Sequence, residues 1–271
     1  MPPRQPPSFP PPDAEPFEVD TATARFERVG DSVTLFLGGW PSSQWSLTDP
    51  ADLEFEYMRW MLAALRATFE PSAELRCLHL GAGACALPRA IAALWPRSRH
   101  LAVEIDAALA AAVRRHVDLP RAPVLRIRVD DAVRALASRP PATHHLIVRD
   151  AFDQAGNTPT GLKDAGAARA AARALRPDGL YLANCGDAPP LAGARQEVRT
   201  LAESFAYVAL ATEPAQLRGR RRGNVMLAAR HTPLTTAQED RLARELRAGG
   251  FPARLIAGGE ALLWAGAPRA V

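Results

Sequence analysis

Between residues 75 and 184 the chain alternates short apolar runs with segments of helical periodicity. The runs at 75–80, 100–105, 124–129, 145–148 and 180–184 read as strands. The stretches at 87–95, 107–116, 131–137 and 164–175 read as the helices between them. Strands separated in this way join as parallel neighbours through right-handed crossovers. The pattern therefore predicts an α/β protein with a mostly parallel, Rossmann-like sheet covered by helices. A helix at 193–204, strands at 207–210 and 224–229, and a helix at 236–248 follow.

Upstream, Phe26, Val33, Leu35 and Leu37 alternate around Gly30-Asp31 and predict a β-hairpin. Gly38-Gly39 ends it, and a polar connector is expected at 41–50. Leu53, Tyr57, Trp60, Met61, Ala64 and Leu65 mark a helix over 52–69, with Asp49 or Asp52 as its cap. The proline-rich start has little apolar surface to bury and is expected to be a disordered or polyproline-like tail, not a secretory signal. The resulting division is a tail at 1–20, a hairpin-and-helix region at 21–70, a Rossmann-like domain at 71–232 and a C-terminal appendage at 233–271.

At 271 residues and 48% hydrophobic composition the chain can bury a sizeable core. No run of about 18 apolar residues is present, so no membrane span is expected. The net charge of +4 is mild. The cluster Arg218, Arg220, Arg221 and Arg222 lacks interleaved aromatics and reads as a solvated loop, not a nucleic-acid surface. Cys77, Cys85 and Cys185 fit no zinc spacing and read as free thiols in a reducing cytoplasm. No metal is expected, since His144-His145 have no third ligand at a standard spacing, and His79 reads as packed.

Ligands of an open parallel sheet sit beyond the carboxyl ends of its strands, so the strand ends carry the functional argument. The first ends in Gly81-Ala82-Gly83, a turn that lets backbone approach a ligand closely. The second ends in Glu104, placed to accept both hydroxyls of a ribose. Asp131 follows the third and suits an adenine amino group. Asp150, with Asp153 behind it, ends the fourth, where a carboxylate can balance cationic charge or take a proton from an amine. Asn184 ends the fifth. Singly, each is an ordinary turn, cap or loop residue; their succession points to an adenosyl-sulfonium cofactor. A nicotinamide dinucleotide is the rival, because Gly81-x-Gly83-x-x-Ala86 loosely fits its fingerprint. The acids after the third and fourth strands would repel a pyrophosphate, and the loop lacks a third glycine.

From about Phe36 to Ala229 these motifs resemble the spermidine synthase family, in its bacterial spermidine-synthase-like branch. The resemblance rests on the glycine loop with Arg89, Val103-Glu104-Ile105-Asp106, Asp131-Ala132, Asp150-Ala151-Phe152-Asp153 and the late segment 217–224. It implies a class I methyltransferase fold with an N-terminal β-hairpin. It also implies S-adenosylmethionine or its decarboxylated form as cofactor, held by Gly81, Gly83, Glu104, Asp131 and Gln44. Asp150 would assist deprotonation of an attacking amine, with Asp153 and Tyr57 on the acceptor side. A small-molecule acceptor of polyamine type is implied, and family hairpins often sit in a homodimer interface. Three departures stand out. Ala84 occupies the loop position where the family carries an acid that pairs with the cofactor's amine; Met58-Arg59 replace the polar or acidic pair after the tyrosine; and the serines between the paired acids become Ala151-Phe152. Aminopropyl transfer is therefore weighed against methyl transfer from intact S-adenosylmethionine and against a non-catalytic sensor or interaction module.

Overall fold

The structure, a computed structural model, describes residues 15–153, 156–248 and 250–266. Its N-terminal part is an antiparallel sheet of β1 (Phe17–Glu18), β2 (Thr23–Val29), β3 (Ser32–Leu37) and β4 (Trp40–Ser46), followed by α1 (Glu56–Thr68). The expected hairpin is β2–β3, with Ala24 opposite Leu37 and Val29 opposite Ser32. Residues 41–46, expected within a polar connector, instead form β4, which turns back at Gly38-Gly39 and pairs with β3. Its alternation is carried by a serine and a tryptophan, Ser43 and Trp45, both buried, and a hydrophobicity pattern does not register the serine. The tail expected at 1–20 gives way at Phe17–Glu18 to β1, whose Phe17 ring lies 5.4 Å from that of Phe26; residues 1–14 of that expectation lie outside the described residues. Neither Asp49 nor Asp52 caps α1. Asp49 accepts from Ala51 N within a turn, and the helix begins later, after Phe55.

The large sheet is built from β5 (Arg76–Leu80), β6 (Arg99–Glu104), β7 (Leu125–Val129), β8 (His144–Arg149), β9 (Leu175–Asp187), β10 (Tyr207–Thr212), β11 (Gly223–Arg230) and β12 (Arg254–Ala257). The order across it is β12-β10-β11-β9-β8-β5-β6-β7. Strands β5 to β9 are parallel, while β11 runs antiparallel between β9 and β10. A parallel sheet with one reversed strand inserted next to its outer edge is the topology of the class I methyltransferase fold. The turn expected at Pro177-Asp178-Gly179 lies inside β9, where the pairing shifts from His144↔Leu175 to Leu146↔Leu180. The C-terminal region contributes β12 to the sheet edge, antiparallel to β10.

Helices cover both faces. On one lie α1, α2 (Ala86–Leu94), α3 (Ala107–His116) and α8 (Thr236–Ala248); on the other lie α4 (Ala132–Ala137), α5 (Ala165–Ala174), α6 (Ala192–Ala202) and α9 (Gly258–Ala265). A short α7 (Pro214–Leu217) precedes β11. α5 approaches its neighbours through alanines, with Ala167, Ala168, Ala171 and Ala174 buried, and Asp164 caps it by accepting from Ala167 N. Among the described residues no helix is long and apolar enough to cross a membrane.

The N-terminal sheet is fastened to the large one by polar contacts. Asp106 caps α3 through Leu109 N and accepts from both the amide and hydroxyl of Thr21, at 2.8 and 2.7 Å. Asp20 accepts from Ala107 N and Ala108 N at the same helix end, where backbone donors are free. Buried Arg89 of α2 donates to Ser46 O at 2.7 Å and to Asp118 O.

Two buried histidines join β5 to β6. Ser98 has one hydroxyl proton and donates it to Trp95 O at 2.6 Å, so it accepts from His100 Nε2 at 2.7 Å. With His100 neutral, its Nδ1 accepts from His79 Nε2 across 3.0 Å. Burial keeps both rings neutral. Burial lowers the His100 pKa to about 4 and holds that of His79 well below its ordinary value. The unfolded chain binds protons near pH 6.5 and the folded one does not, so the stability these rings contribute is complete above about pH 6.5 and is lost as pH falls toward about 4. Denaturant titrations between about pH 6.5 and 5 should show stability falling by about 1.4 kcal/mol per pH unit for each such histidine. His100→Asn should flatten that slope, and an unchanged slope would refute the assignment.

Candidate functional site

The carboxyl ends of β5, β6 and β8 are tied side by side. Gly81 N donates to Val103 O at 3.1 Å, and Asp150 N donates to Leu80 O at 2.9 Å. Gly81 has φ +92°, and a Cβ there would stand 2.2 Å from Asp150 O, so this crossing requires glycine. At Gly83, φ +47°, a Cβ would stand 2.5 Å from Ser43 Oγ. Cys85, at φ 58°, completes the turn into α2.

Glu104 reaches over this turn. Its Oε2 accepts from Ala82 N and Gly83 N, each at 3.2 Å, and its Oε1 accepts from Asp106 N at 3.1 Å. Burial pushes its pKa above the usual carboxylate value, and the three amides oppose that rise. The loop and its acid thus form one backbone cradle with carboxylate capacity, which suits vicinal hydroxyls.

Asp150 is the centre of the second half. Tyr57, at the start of α1, donates its hydroxyl to Asp150 Oδ2 at 2.7 Å. Asn184 of β9 donates its Nδ2 to Oδ1 at 3.1 Å. Burial raises the Asp150 pKa, against the two hydrogen bonds and the charge of Arg149, which lower it. Burial, together with the neighbouring Asp150, also holds the Tyr57 phenol protonated, well above its ordinary value. Asn184 Oδ1 is buried with no partner among the described residues. A buried carbonyl oxygen can accept an N–H or O–H donor, and satisfying it lowers the cost of its burial. Arg149 itself points to the opposite face of the sheet, where it is fully buried against Glu197 at 2.6 Å.

The structure therefore brings Gly81, Gly83, Glu104, Asp150 and Tyr57 together. Asp131 ends the neighbouring strand, where its side chain caps α4 by accepting from Arg134 N at 2.8 Å. Asp153 is exposed on the loop after β8, accepting from Asn157 N through Oδ1 at 2.8 Å. Gln44 turns to the other face of β4 and donates to Ser32 Oγ at 2.6 Å. The residue that β4 presents to the glycine loop is Ser43, whose Oγ accepts from Ala84 N at 3.0 Å. The sequence pattern does not mark Ser43, because a serine leaves β4 looking like a polar connector; with the strand in place, its period of two separates Ser43 from Gln44.

A probable spermidine synthase from Corynebacterium glutamicum ATCC 13032 superimposes with a TM-score of 0.89 and 36% identity, covering 96% of this chain and 98% of that one. The chain belongs to the spermidine synthase-like family. A spermidine synthase in complex with the transition-state analogue AdoDATO aligns at TM-score 0.60 and 15% identity, over 87% of this chain and 77% of that one. Human methyltransferase-like protein 13 in complex with SAH aligns at TM-score 0.59 and 17% identity, over 80% and 95%. At those identities the likeness is one of fold. No family model and no curated protein sequence matches the chain.

The glycine crossing gives the sharpest structural test. Gly81→Ala should destabilise the protein by about 2 kcal/mol or more in urea titration, since both the left-handed backbone and the Asp150 carbonyl oppose a Cβ. A loss below about 0.5 kcal/mol would mean that the crossing is looser than described.

Proposed function

We propose that this spermidine synthase-like chain is an aminopropyltransferase, moving an aminopropyl group from decarboxylated S-adenosylmethionine to an amine acceptor in polyamine synthesis. The observation that carries this reading is Asp150, gripped by Tyr57 and Asn184 beside the glycine cradle, with Asn184 Oδ1, which has no partner among the described residues, next to it. The cofactor supplies a carbon bonded to a sulfonium; the acceptor nitrogen bonds to that carbon as the C–S bond breaks, leaving sulfur as a neutral thioether. The chain's contribution is alignment and proton transfer. Glu104, held in place by the amides of Ala82 and Gly83, binds the ribose side, and Asp131 lies toward the adenine. Asn184 Oδ1 accepts one N–H of the acceptor amine and orients its lone pair, and Asp150 takes the proton that the nitrogen loses. Tyr57 keeps the Asp150 carboxylate in place, and Asp153 flanks the acceptor's entry.

A second reading draws on one feature, the buried Ala84, which puts no acid near the carboxylate of intact S-adenosylmethionine. It is methyl transfer to a small molecule, and the same assay separates the two by the mass gained by the acceptor.

The test is mass-spectrometric detection of product from a diamine and the decarboxylated cofactor. Asp150→Asn should lower kcat by about 10²–10⁴-fold with cofactor affinity retained. Because Asp150 acts ionised and its pKa is raised, kcat/KM should climb with pH through a midpoint above the ordinary carboxylate value of about 3.9, a limb absent in the variant. Transfer that survives Asp150→Asn undiminished would refute the assigned role.

A further inference from the structure

The amino ends of β5, β6 and β7 lie at the far end of the sheet from Gly81 and Glu104, roughly 15 Å away along the strands. Arg76 opens β5 directly opposite Arg99, which opens β6, and Arg126 of β7 stands opposite Leu101, two residues beyond Arg99. The alternation of side chains along a strand puts these arginines and Leu101 on one face of the sheet. It is the face that α4 covers, since Leu101 packs against the apolar cluster that contains Ala135 and Leu136. With six residues α4 is about 9 Å long, against about 16 Å for the five residues of β7 beneath it. It is too short to cover the strand starts. An open cavity of about 450 Å³ lies there, and its wall includes Arg76, Arg99, Arg126, His144, Leu101 and Pro123.

Neighbouring strands run about 4.8 Å apart, so the facing guanidinium groups repel one another unless a counter-charge is supplied. Nearby arginines have one: Arg97 pairs with Glu74, Arg128 with Asp130 and Arg176 with Asp178. Among the described residues Arg76, Arg99 and Arg126 pair with no acid, and no aspartate or glutamate lines the cavity. In the same wall His144 Nδ1 is buried with no hydrogen-bond partner among the described residues. Burial, reinforced by Arg139 and Arg76, lowers the His144 pKa to about 4, so the ring is neutral and carries one N–H. Three permanent cations and an unsatisfied ring nitrogen thus converge on a cavity that offers no anion of its own.

A single carboxylate fills one guanidinium fork, whereas a diphosphate presents oxygens to several forks at once. The cavity is within the size range of small-molecule sites, and Leu101 and Pro123 give it an apolar side. We propose that this end of the sheet binds a small molecule carrying a diphosphate group, at a site separate from the one built around Asp150. Arg76 and Arg99 share one phosphate from adjacent strands, Arg126 meets the other, and His144, with its proton on Nδ1, adds a neutral donor.

Calorimetric titration of the full chain with inorganic pyrophosphate tests the site. The wild type should bind one pyrophosphate per chain, at least tenfold more tightly than inorganic phosphate or citrate. Arg76→Gln, Arg99→Gln and Arg126→Gln should each weaken pyrophosphate binding at least tenfold. Arg241→Gln, an equal loss of charge on α8, should leave it unchanged. The three cavity substitutions are at exposed positions on separate strands, so the test stands if one variant is unstable. Saturating S-adenosylmethionine should not displace pyrophosphate. Absence of saturable binding, tighter binding of citrate, displacement by S-adenosylmethionine, or equal weakening by Arg241→Gln would overturn the proposal.

Discussion

Position 81 is where the main chain of one strand end passes another so closely that a methyl group would stand 2.2 Å from the Asp150 carbonyl. Everything at the site depends on that crossing. It lets the end of β5 lie against the end of β8, brings the amides of residues 82 and 83 under Glu104, and fixes the backbone that carries Asp150. The N-terminal sheet then closes the arrangement from above. Ser43 bonds the loop amide of Ala84, Arg89 holds the end of β4, and Asp20 and Thr21 occupy the start of α3. Loop, acid and covering strand are thus one mechanical unit, not separate motifs.

Electrostatically the site holds carboxylates in partly desolvated surroundings. Glu104 and Asp150 both have raised pKa values because burial disfavours their charge, and both remain usable because donors offset part of that cost. The charge of Arg149 reaches Asp150, but its guanidinium is engaged with Glu197 on the far face of the sheet.

Much of this was legible in the sequence because the alternation of periods 2 and 3.6 fixes a parallel sheet, and a parallel sheet fixes where its acids gather. Gly81, Glu104 and Asp150 could be found by asking what each strand ends with. What stayed hidden depends on pairing at a distance. β4 carries its alternation on Ser43 and Trp45, so it read as a connector, and with it went the parity that separates Ser43 from Gln44. The reversed β11 and the added edge strand β12 follow from sheet order, which no local pattern encodes. The contact between His79 and His100 needs the register in which Cys77 faces His100. The approach of Asn224 to Glu56, 168 positions apart, needs the whole fold.

The central claim is that the glycine cradle and its acids hold an adenosyl-sulfonium ligand whose tail carries an amine and no carboxylate. Paired calorimetric titration with decarboxylated and intact S-adenosylmethionine, on the wild type and on Glu104→Ala, measures it directly. The account predicts tighter binding of the decarboxylated form, and loss of both affinities when Glu104 is removed. Tighter binding of the intact form, or binding that is indifferent to Glu104, would contradict it.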